Sequence, residues 1–344
     1  MMKKLLTLSL VLTLLTGCAG KPAVLPPAAS AAPAGDPSGT AVKTGLSVVT
    51  SVSGSTDAGP EGDGAARAGI SLVAVTVGDD GVIDGCVIDA IQADVGFDAA
   101  GQLTADPAAA LLSKNELGGT YGLKQASSIG REWNEQAAAM ADYAVGKTVE
   151  ELRGVAVNEK GAPADADLAA SVTISIGDFL AGIEDAVSNA EHLGAKAGDE
   201  LKLVSIAGAS KSRSAGAEES GLAQFSATVA AVTFDGAAIT SCYIDAAEAG
   251  VSFSAGGVIT TDLSAPQPTK NEMGEDYGLK EASSIGREWY EQAAAFSAYV
   301  TGKTAAEVAS IAVDEAASPT EADLAASVTI GIGDFQALIE KAAR

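Results

Sequence analysis

The sequence predicts an α+β protein built from two tandem homologous domains, each a small antiparallel sheet packed with helices. An internal duplication is the first observation behind this prediction, because a repeat period this long indicates two whole domains and not a solenoid. The second observation is that each copy runs from strand-like apolar patterns to apolar positions with helical spacing. Three matched pairs show the constant offset of 156 positions: Lys114 and Lys270, Trp133 and Trp289, Thr173 and Thr329.

The N-terminus predicts a lipoprotein signal peptide over residues 1–17. Lys3 and Lys4 precede an apolar run at residues 5–15, which is too short for a stable membrane span. The tetrapeptide LTGC that ends at Cys18 resembles a bacterial lipobox. That resemblance implies cleavage before Cys18, lipid attachment to its sulfur and a location on the outer face of the cell membrane. The alternative is a plain signal peptide with an incidental cysteine.

Residues 18–45 are rich in Ala, Pro, Gly and Ser, and they predict a disordered stalk because they cannot bury enough apolar surface to fold. The two domains are then expected at residues 46–193 and 199–344. The boundary between them falls in the polar, Gly-rich sequence AEHLGAKAGD.

In the first domain, SLVAVTV, the turn GDDG and VIDGCVIDAI predict a β-hairpin, and VGFDAAGQLT predicts a shorter one. Ser127 or Ser128 is expected to cap a helix over about residues 129–145. The apolar side of that helix would contain four residues: Trp133, Ala137, Met140 and Ala144.

Two further helices follow. The sequence TVEE from Thr148 is a capping-box pattern that opens a short helix, and TAAE from Thr304 repeats it. A C-terminal helix is predicted from the buried stripe of Ile176, Phe179, Ile183 and Val187.

Charge and residue usage exclude several function classes. The chain has 45 acidic and 21 basic residues, a formal charge of −24, which repels nucleic acid. The single histidine, His192, excludes His-based triads and His-rich metal sites in both copies, and no metal site is predicted. Cys86 and Cys242 occupy equivalent apolar runs and are expected to be buried free thiols, with an inter-domain disulfide as the alternative.

The octet ADLAASVT occurs at residues 166–173 and again at 322–329. The predicted start of the last helix places Ser171 or Thr173 near a helix N-terminus, where free backbone N–H groups favour a phosphate. The small residues allow another group to approach the backbone closely. Asp167 is expected to orient the hydroxyl or to bind a metal ion. The alternative is a helix start whose small residues serve only close packing.

The octet resembles the attachment motif of FMN-binding domains in bacterial redox proteins, Asp-x-x-(Ser/Thr)-Gly-Ala-(Thr/Ser). The resemblance implies that the last hydroxyl is esterified to the phosphate of FMN by a Mg-dependent flavin transferase that uses FAD. Thr173 and Thr329 would then each hold one covalent FMN, two per chain, with Asp167 and Asp323 at the family's Asp position. The chain departs from the motif at three positions in each copy: Ala170 and Ala326, Ser171 and Ser327, Val172 and Val328.

The lipobox, the stalk and the repeated segment KNExGxxYGLKxASSIGREWxEQAAA look like the flavinylated lipoproteins of extracellular electron transfer in Gram-positive bacteria. This resemblance implies an FMN-binding-domain-like fold for both copies. Tyr121 and Tyr277, in Gly-rich loops, are candidates for contact with the ring edge. Trp133 and Trp289 are expected to be core residues of an amphipathic helix, with stacking on the flavin ring as the alternative. Cations are scarce in this chain, and four of them are expected to be surface cations or salt-bridge partners, with a place near the flavin or its phosphate as the alternative: Lys114, Lys270, Arg131 and Arg287.

The predicted function is that of an extracytoplasmic, lipid-anchored electron carrier and not of an enzyme, so no catalytic residue is assigned. The flavins would take electrons from a membrane donor and pass them to an extracellular acceptor. One alternative is a cofactor-free binding lipoprotein of the cell envelope. Another is a reductase that acts on a small acceptor with the same flavins.

Overall fold

The computed structural model describes residues 39–60 and 62–344. The predicted signal peptide, Cys18 and most of the predicted stalk lie outside this range. In the part of the chain that is described, no helix combines the length and the apolar character needed to cross a bilayer.

The described chain contains two three-stranded antiparallel sheets, with strand orders β1-β2-β3 and β4-β5-β6. The first sheet consists of β1 (Lys43–Ser51), β2 (Gly64–Val77) and β3 (Ile83–Phe97). The second consists of β4 (Glu200–Gly208), β5 (Gly221–Asp235) and β6 (Ala238–Phe253). We call the elements around the first sheet the first copy and those around the second sheet the second copy.

The predicted hairpin of β2 and β3 is confirmed, with Ile70 opposite Ile91. The shorter reversal after β3 is also present: the Asp98 N–H donates to the Gln102 carbonyl at 2.9 Å, and Phe97 bridges Leu103. Strand β1 was not predicted. It begins at Lys43, so the sheet extends three residues into the segment expected to be stalk. Strand β1 directly follows the Ala- and Pro-rich segment and shows no clear alternation of apolar and polar residues, which obscures where the fold begins.

Ten α-helices follow the strands in the described residues, five in each copy. The first copy contains α1 (Lys114–Leu117), α2 (Trp133–Ala144), α3 (Val149–Arg153), α4 (Ala166–Ala169) and α5 (Gly177–Ser188). The second copy contains α6 (Lys270–Met273), α7 (Trp289–Val300), α8 (Ala305–Ala309), α9 (Ala322–Ala325) and α10 (Gly333–Ala342).

Helix α2 begins at Trp133, about four residues later than predicted from the serines. Gly130 has a φ of 64°, a left-handed conformation that stops helix growth before it. The backbone N–H of Glu132 instead donates to the Glu135 carboxylate at 2.7 Å. Ser127 Oγ accepts two long bonds of 3.4 Å, one from the Arg131 N–H and one from Gln136 Nε2. The serines therefore lie in the loop that leads into α2.

The other helix predictions hold more closely. Thr148 and Thr304 form the predicted capping boxes of α3 and α8. Helix α5 buries Phe179 and Ile183 as its stripe predicted.

The sheets separate two kinds of core. Val73 and Val75 on β2 pack with helix residues such as Met140, whereas Leu72 and Ala74 on the opposite face pack in a cluster shared with the second sheet. At the far end of this shared layer, the rings of Phe97 and Phe253 stack with centroids 4.1 Å apart. Each sheet is therefore covered by its own helices on one face and by the other copy on the other face. The predicted α+β class is confirmed.

Candidate functional site

The octet of the first copy forms the one-turn helix α4 and the turn after it. The Leu168 carbonyl accepts the N–H groups of Ser171 and Val172 at 2.9 and 2.8 Å, which closes this turn. Helix α5 begins only at Gly177. Thr173 therefore lies near the N-terminus of the last helix, four residues before it, but not at it, and Ser171 lies in the turn after α4. Val172 is fully buried, but it anchors the turn and does not belong to the helical stripe.

A buried glutamine on α2 fixes the threonine of the octet. The backbone N–H of Thr173 donates to Gln136 Oε1 at 2.8 Å, and its hydroxyl donates to the same oxygen at 3.2 Å. The Ile174 N–H also donates to this oxygen, at 3.3 Å. Gln136 Nε2 in turn donates to the Arg131 carbonyl at 3.2 Å. The glutamine thus joins the octet to the start of α2.

The second copy repeats this arrangement, with the Thr329 N–H and hydroxyl donating to Gln292 Oε1 at 2.8 and 3.2 Å. Both glutamines are fully buried. Sequence reasoning missed them as site residues. The available signal was a polar side chain within the apolar stripe of α2 and α7, present at the same place in both copies.

Thr173 and Thr329 are half-buried. The backbone of the serines two positions before them is unstrained. Ser171 and Ser327 stand where the related motif has glycine. Among the described non-glycine residues, only Ala317 has a positive φ, so neither serine adopts a backbone conformation that requires glycine. The side chains at these two positions therefore do not strain the turn.

Asp167 and Asp323 lie exposed on α4 and α9. The hydroxyl of each octet threonine is bonded to a glutamine and not to these carboxylates. Among the described residues, no group of three or more His, Cys, Asp or Glu side chains is arranged to hold a metal ion.

A lysine lies over two aromatic rings in each copy. Lys114 Nζ is 4.8 Å from the ring centroids of both Tyr121 and Trp133. In the second copy, Lys270 Nζ is 4.8 Å from Tyr277 and 5.2 Å from Trp289. These distances are typical of cation–π contacts. We call each set of three the Lys–Tyr–Trp cluster of its copy.

The tryptophans are core residues as well as walls of these clusters. Trp133 is 7% exposed and meets the ring of Phe179 edge-on, with centroids 5.6 Å apart. Trp289 is equally buried and meets Phe335 in the same way. The predicted core role of the tryptophans is therefore confirmed, and each ring supports its lysine from within the core.

In the second copy, the Lys–Tyr–Trp cluster and the segment after Thr329 line one cavity of about 470 Å³. All three residues of the cluster contribute to its wall, together with Ile330, Gly331 and Asp334. In the first copy, Lys114 and Asp178, the counterparts of Lys270 and Asp334, line a cavity of about 550 Å³. Both volumes lie in the range of small-molecule sites. The fold thus brings the region of the octet close to the candidate tyrosine of the second copy.

The electrostatics of the two clusters differ. Lys270 pairs with the Glu248 carboxylate at 3.2 Å. Burial alone would lower the pKa of Lys270, but Tyr277 and Glu248 outweigh it and raise the pKa. In the first copy, Gln92 replaces the glutamate, and Lys114 forms no ion pair with any described residue. The lysine of the first cluster therefore has no direct ion-pair partner among the described residues, although Asp178 and Asp185 line the same cavity.

Cys86 and Cys242 are free thiols, as predicted. Cys242 is buried and Cys86 is half-buried. Burial raises the pKa of each to about 12, so both are neutral thiols near pH 7.

Comparisons of the chain with protein-family models, with curated proteins and with solved structures found no match.

Proposed function

We propose that the protein is an extracytoplasmic, lipid-anchored electron carrier that holds one FMN in each copy through phosphoesters to Thr173 and Thr329. The observation that carries the proposal is the shared cavity of the second copy. That cavity has a volume of about 470 Å³, and its wall contains the two residues directly after Thr329 together with Tyr277, Trp289 and Lys270. An aromatic wall and a cation suit a planar ring that carries a phosphate tail, and Thr329 directly precedes Ile330, which lies in the wall of this cavity.

The threonine turn also suits covalent attachment. Esterification joins Oγ1 to the FMN phosphorus, breaks the phosphoanhydride of FAD and releases AMP, while the hydroxyl proton leaves. The Thr173 hydroxyl then no longer donates to Gln136. The N–H groups of Thr173 and Ile174 remain bonded to the same oxygen, so the backbone keeps its position. A bound flavin supplies electron-transfer chemistry that no side chain of this protein provides.

The lysine of each cluster would act on the ring. A cation beside an isoalloxazine favours the reduced anion, and this raises the reduction potential. Trp133 and Trp289 hold these lysines from the core side. The proposed partners are the flavin transferase, a membrane electron donor and an extracellular acceptor.

The test is the intact mass of the full chain co-expressed with a Mg-dependent flavin transferase. We expect two added FMN masses and yellow colour that survives denaturation. Thr173→Ala and Thr329→Ala should each remove one addition, whereas Thr173→Ser should retain it. Thr148→Ala is the matched control, because Thr148 caps α3 outside the octet. Unmodified protein in the presence of an active transferase would overturn the proposal.

A carrier and a reductase that use the same flavins differ in turnover. The carrier should exchange electrons with added donors and acceptors without saturable steady-state turnover of a small acceptor. Saturable turnover with a defined acceptor would instead support the reductase.

A further inference from the structure

A second cavity of about 450 Å³ runs along β6 in the second copy, and we call it the β6 groove. Its sides are strand β6, helix α7 and residues 191–193 of the segment that joins the copies. None of its lining residues belongs to the octet or to the Lys–Tyr–Trp cluster. It is therefore separate from the proposed flavin site.

The floor of the β6 groove contains a buried hydroxyl without a partner. Ser297 is 5% exposed, and its Oγ makes no hydrogen bond of ordinary geometry with any described residue, although it lies beside the Cys242 thiol and lowers the pKa of that group. A buried polar group in this state destabilises a fold unless a ligand or an ordered water satisfies it. Cys242 lines the same cavity as a neutral thiol. The floor of the β6 groove thus contains a neutral hydroxyl and a neutral thiol, and the hydroxyl can accept or donate a further hydrogen bond.

The walls of the groove are aromatic and acidic. Tyr243 and Tyr290 contribute phenol rings, and Glu191 contributes an exposed carboxylate. None of the lining residues is Lys or Arg. The imidazole of His192 is bonded to Asp79 at 3.0 Å and lies exposed at the edge.

The local potential is negative. Burial, together with the carboxylates of Glu191, Asp245 and Asp185, raises the pKa of Tyr243 to about 12. A positive charge placed beside these groups is stabilised by the same field and by the faces of the phenol rings.

We infer that the β6 groove binds a small organic cation with an apolar body, such as an arylalkyl ammonium ion. The apolar part would lie against Tyr290 and the alanines of α7, and the ammonium group would lie towards Glu191. The Ser297 hydroxyl would gain a partner on the ligand or on a water molecule bound with it.

The first copy provides an internal comparison, because it lacks the two phenols and the buried hydroxyl, although Asn134 Oδ1 at the place of Tyr290 is itself a buried atom without a partner. The counterparts of Tyr243, Tyr290 and Ser297 are Val87, Asn134 and Ala141. The two copies thus share the frame, while only the second copy has both phenols and the buried hydroxyl.

The first experiment measures binding of phenethylammonium chloride to the full chain by titration calorimetry. The protein carries Thr173→Ala and Thr329→Ala, so the result does not depend on flavin attachment. We expect saturable binding at one site per chain, weaker binding of neutral 2-phenylethanol and no binding of anionic 3-phenylpropionate. No saturable binding of the cation, or equal affinity for the neutral alcohol, would overturn the inference.

The second experiment locates the site. Tyr290→Asn, which introduces the first-copy residue, and Glu191→Gln should each weaken binding about tenfold. Tyr299→Asn is the matched control, because Tyr299 lies on the same helix but donates to Glu321 outside the groove. Its affinity should match that of the parent protein. Unchanged binding in both groove variants, or equal loss in the control, would contradict the assignment, and circular dichroism checks that each variant is folded.

Discussion

The two copies share a framework but differ in charge at equivalent places. Both hold an octet threonine with a buried glutamine, and both place a lysine over a tyrosine and a tryptophan. In the second copy that lysine is paired with Glu248, whereas Gln92 occupies the same place in the first. Hydrogen bonds that define the backbone have been retained, and side chains that set the local potential have diverged. We therefore expect the shared hydrogen bonds to determine stability and the differing charges to determine the properties of each candidate site.

The largest expected effect tests the shared framework. Gln136→Ala leaves the buried N–H groups of Thr173 and Ile174 without their acceptor. We expect the free energy of unfolding to fall by about 3 kcal/mol. Gln292→Ala should have an effect of similar size, because its bonds are the same. Urea denaturation monitored by circular dichroism measures both.

The exposed Gln102→Ala serves as a control for glutamine loss outside the octet and should have a smaller effect. If neither Gln136→Ala nor Gln292→Ala changed the free energy of unfolding, the glutamines would not hold the threonine turns. A large effect in only one copy would show that the framework is not shared.

The next largest effect concerns a buried carboxylate on the edge strand of each sheet. Asp89 and Asp245 lie on β3 and β6, and burial raises the pKa of both, that of Asp245 to about 6. Because the pKa of Asp245 is raised on folding, this carboxyl group stabilises the folded state at pH values below its unfolded pKa of 3.8. This stabilisation is lost as the pH rises through about 6, the pKa in the folded state. The fold therefore tolerates an ionised Asp245 at neutral pH at some cost in stability.

Asp245→Asn should remove this dependence. Relative to the parent, the variant should gain about 2 kcal/mol in free energy of unfolding as the pH rises from 4 to 7, because only the parent must bury an ionised carboxylate at pH 7. Denaturation across this pH range measures the change, and Asp89→Asn is the matched comparison in the first copy. A constant difference across the range would contradict the raised pKa of Asp245.

A smaller effect should be equal in the two copies. Thr148→Ala and Thr304→Ala each remove a capping box at the start of a short helix. Each should lower the free energy of unfolding by about 1 kcal/mol. Thermal unfolding of the two variants side by side measures it. Clearly unequal losses would show that these helix starts, unlike the octet frames, have diverged in importance.

Local patterns in the sequence predicted much of this fold. The hairpin of β2 and β3, the two capping boxes and the stripe of α5 each depend on neighbours within a few residues. The packing of one sheet on the other was not predicted. Leu72 and Val73 both appear as apolar strand residues, and nothing local shows that a second sheet covers Leu72 while helices cover Val73.

The candidate site was predictable to a similar extent. The repeated octet and the scarcity of cations pointed to the threonines and lysines. The bond from Thr173 to Gln136 spans 37 positions, and the cavity beside Ile330 is lined by five chain segments, from β4, β5, β6, residues 270–289 and residues 330–335. Thr173 lies four residues before α5, because the buried Val172 belongs to the turn after α4 and the helix begins only at Gly177. Contacts of this length are set by the tertiary fold, and periodicity cannot reveal them.

The smallest effect sharpens the comparison of charge, and it rests on the proposed flavins. With its lysine unpaired, the first copy should hold the flavin of higher midpoint potential. Gln92→Glu gives Lys114 the partner that Lys270 has in Glu248. The new ion pair should lower the midpoint potential of the first flavin. Because the pair is half-exposed, this decrease should be below about 1 kcal/mol, or roughly 20 mV for a two-electron couple.

Spectroelectrochemical titration of Thr329→Ala protein, which would carry only the first flavin, measures this potential with and without Gln92→Glu. The converse variant, Glu248→Gln in Thr173→Ala protein, should raise the second potential by a similar amount. Shifts of opposite sign in the two copies would mean that the lysine charge sets the order in which the flavins are reduced. Equal potentials in the parent copies would instead mean that Glu248 is screened by solvent and that the divergence at this position has no redox consequence.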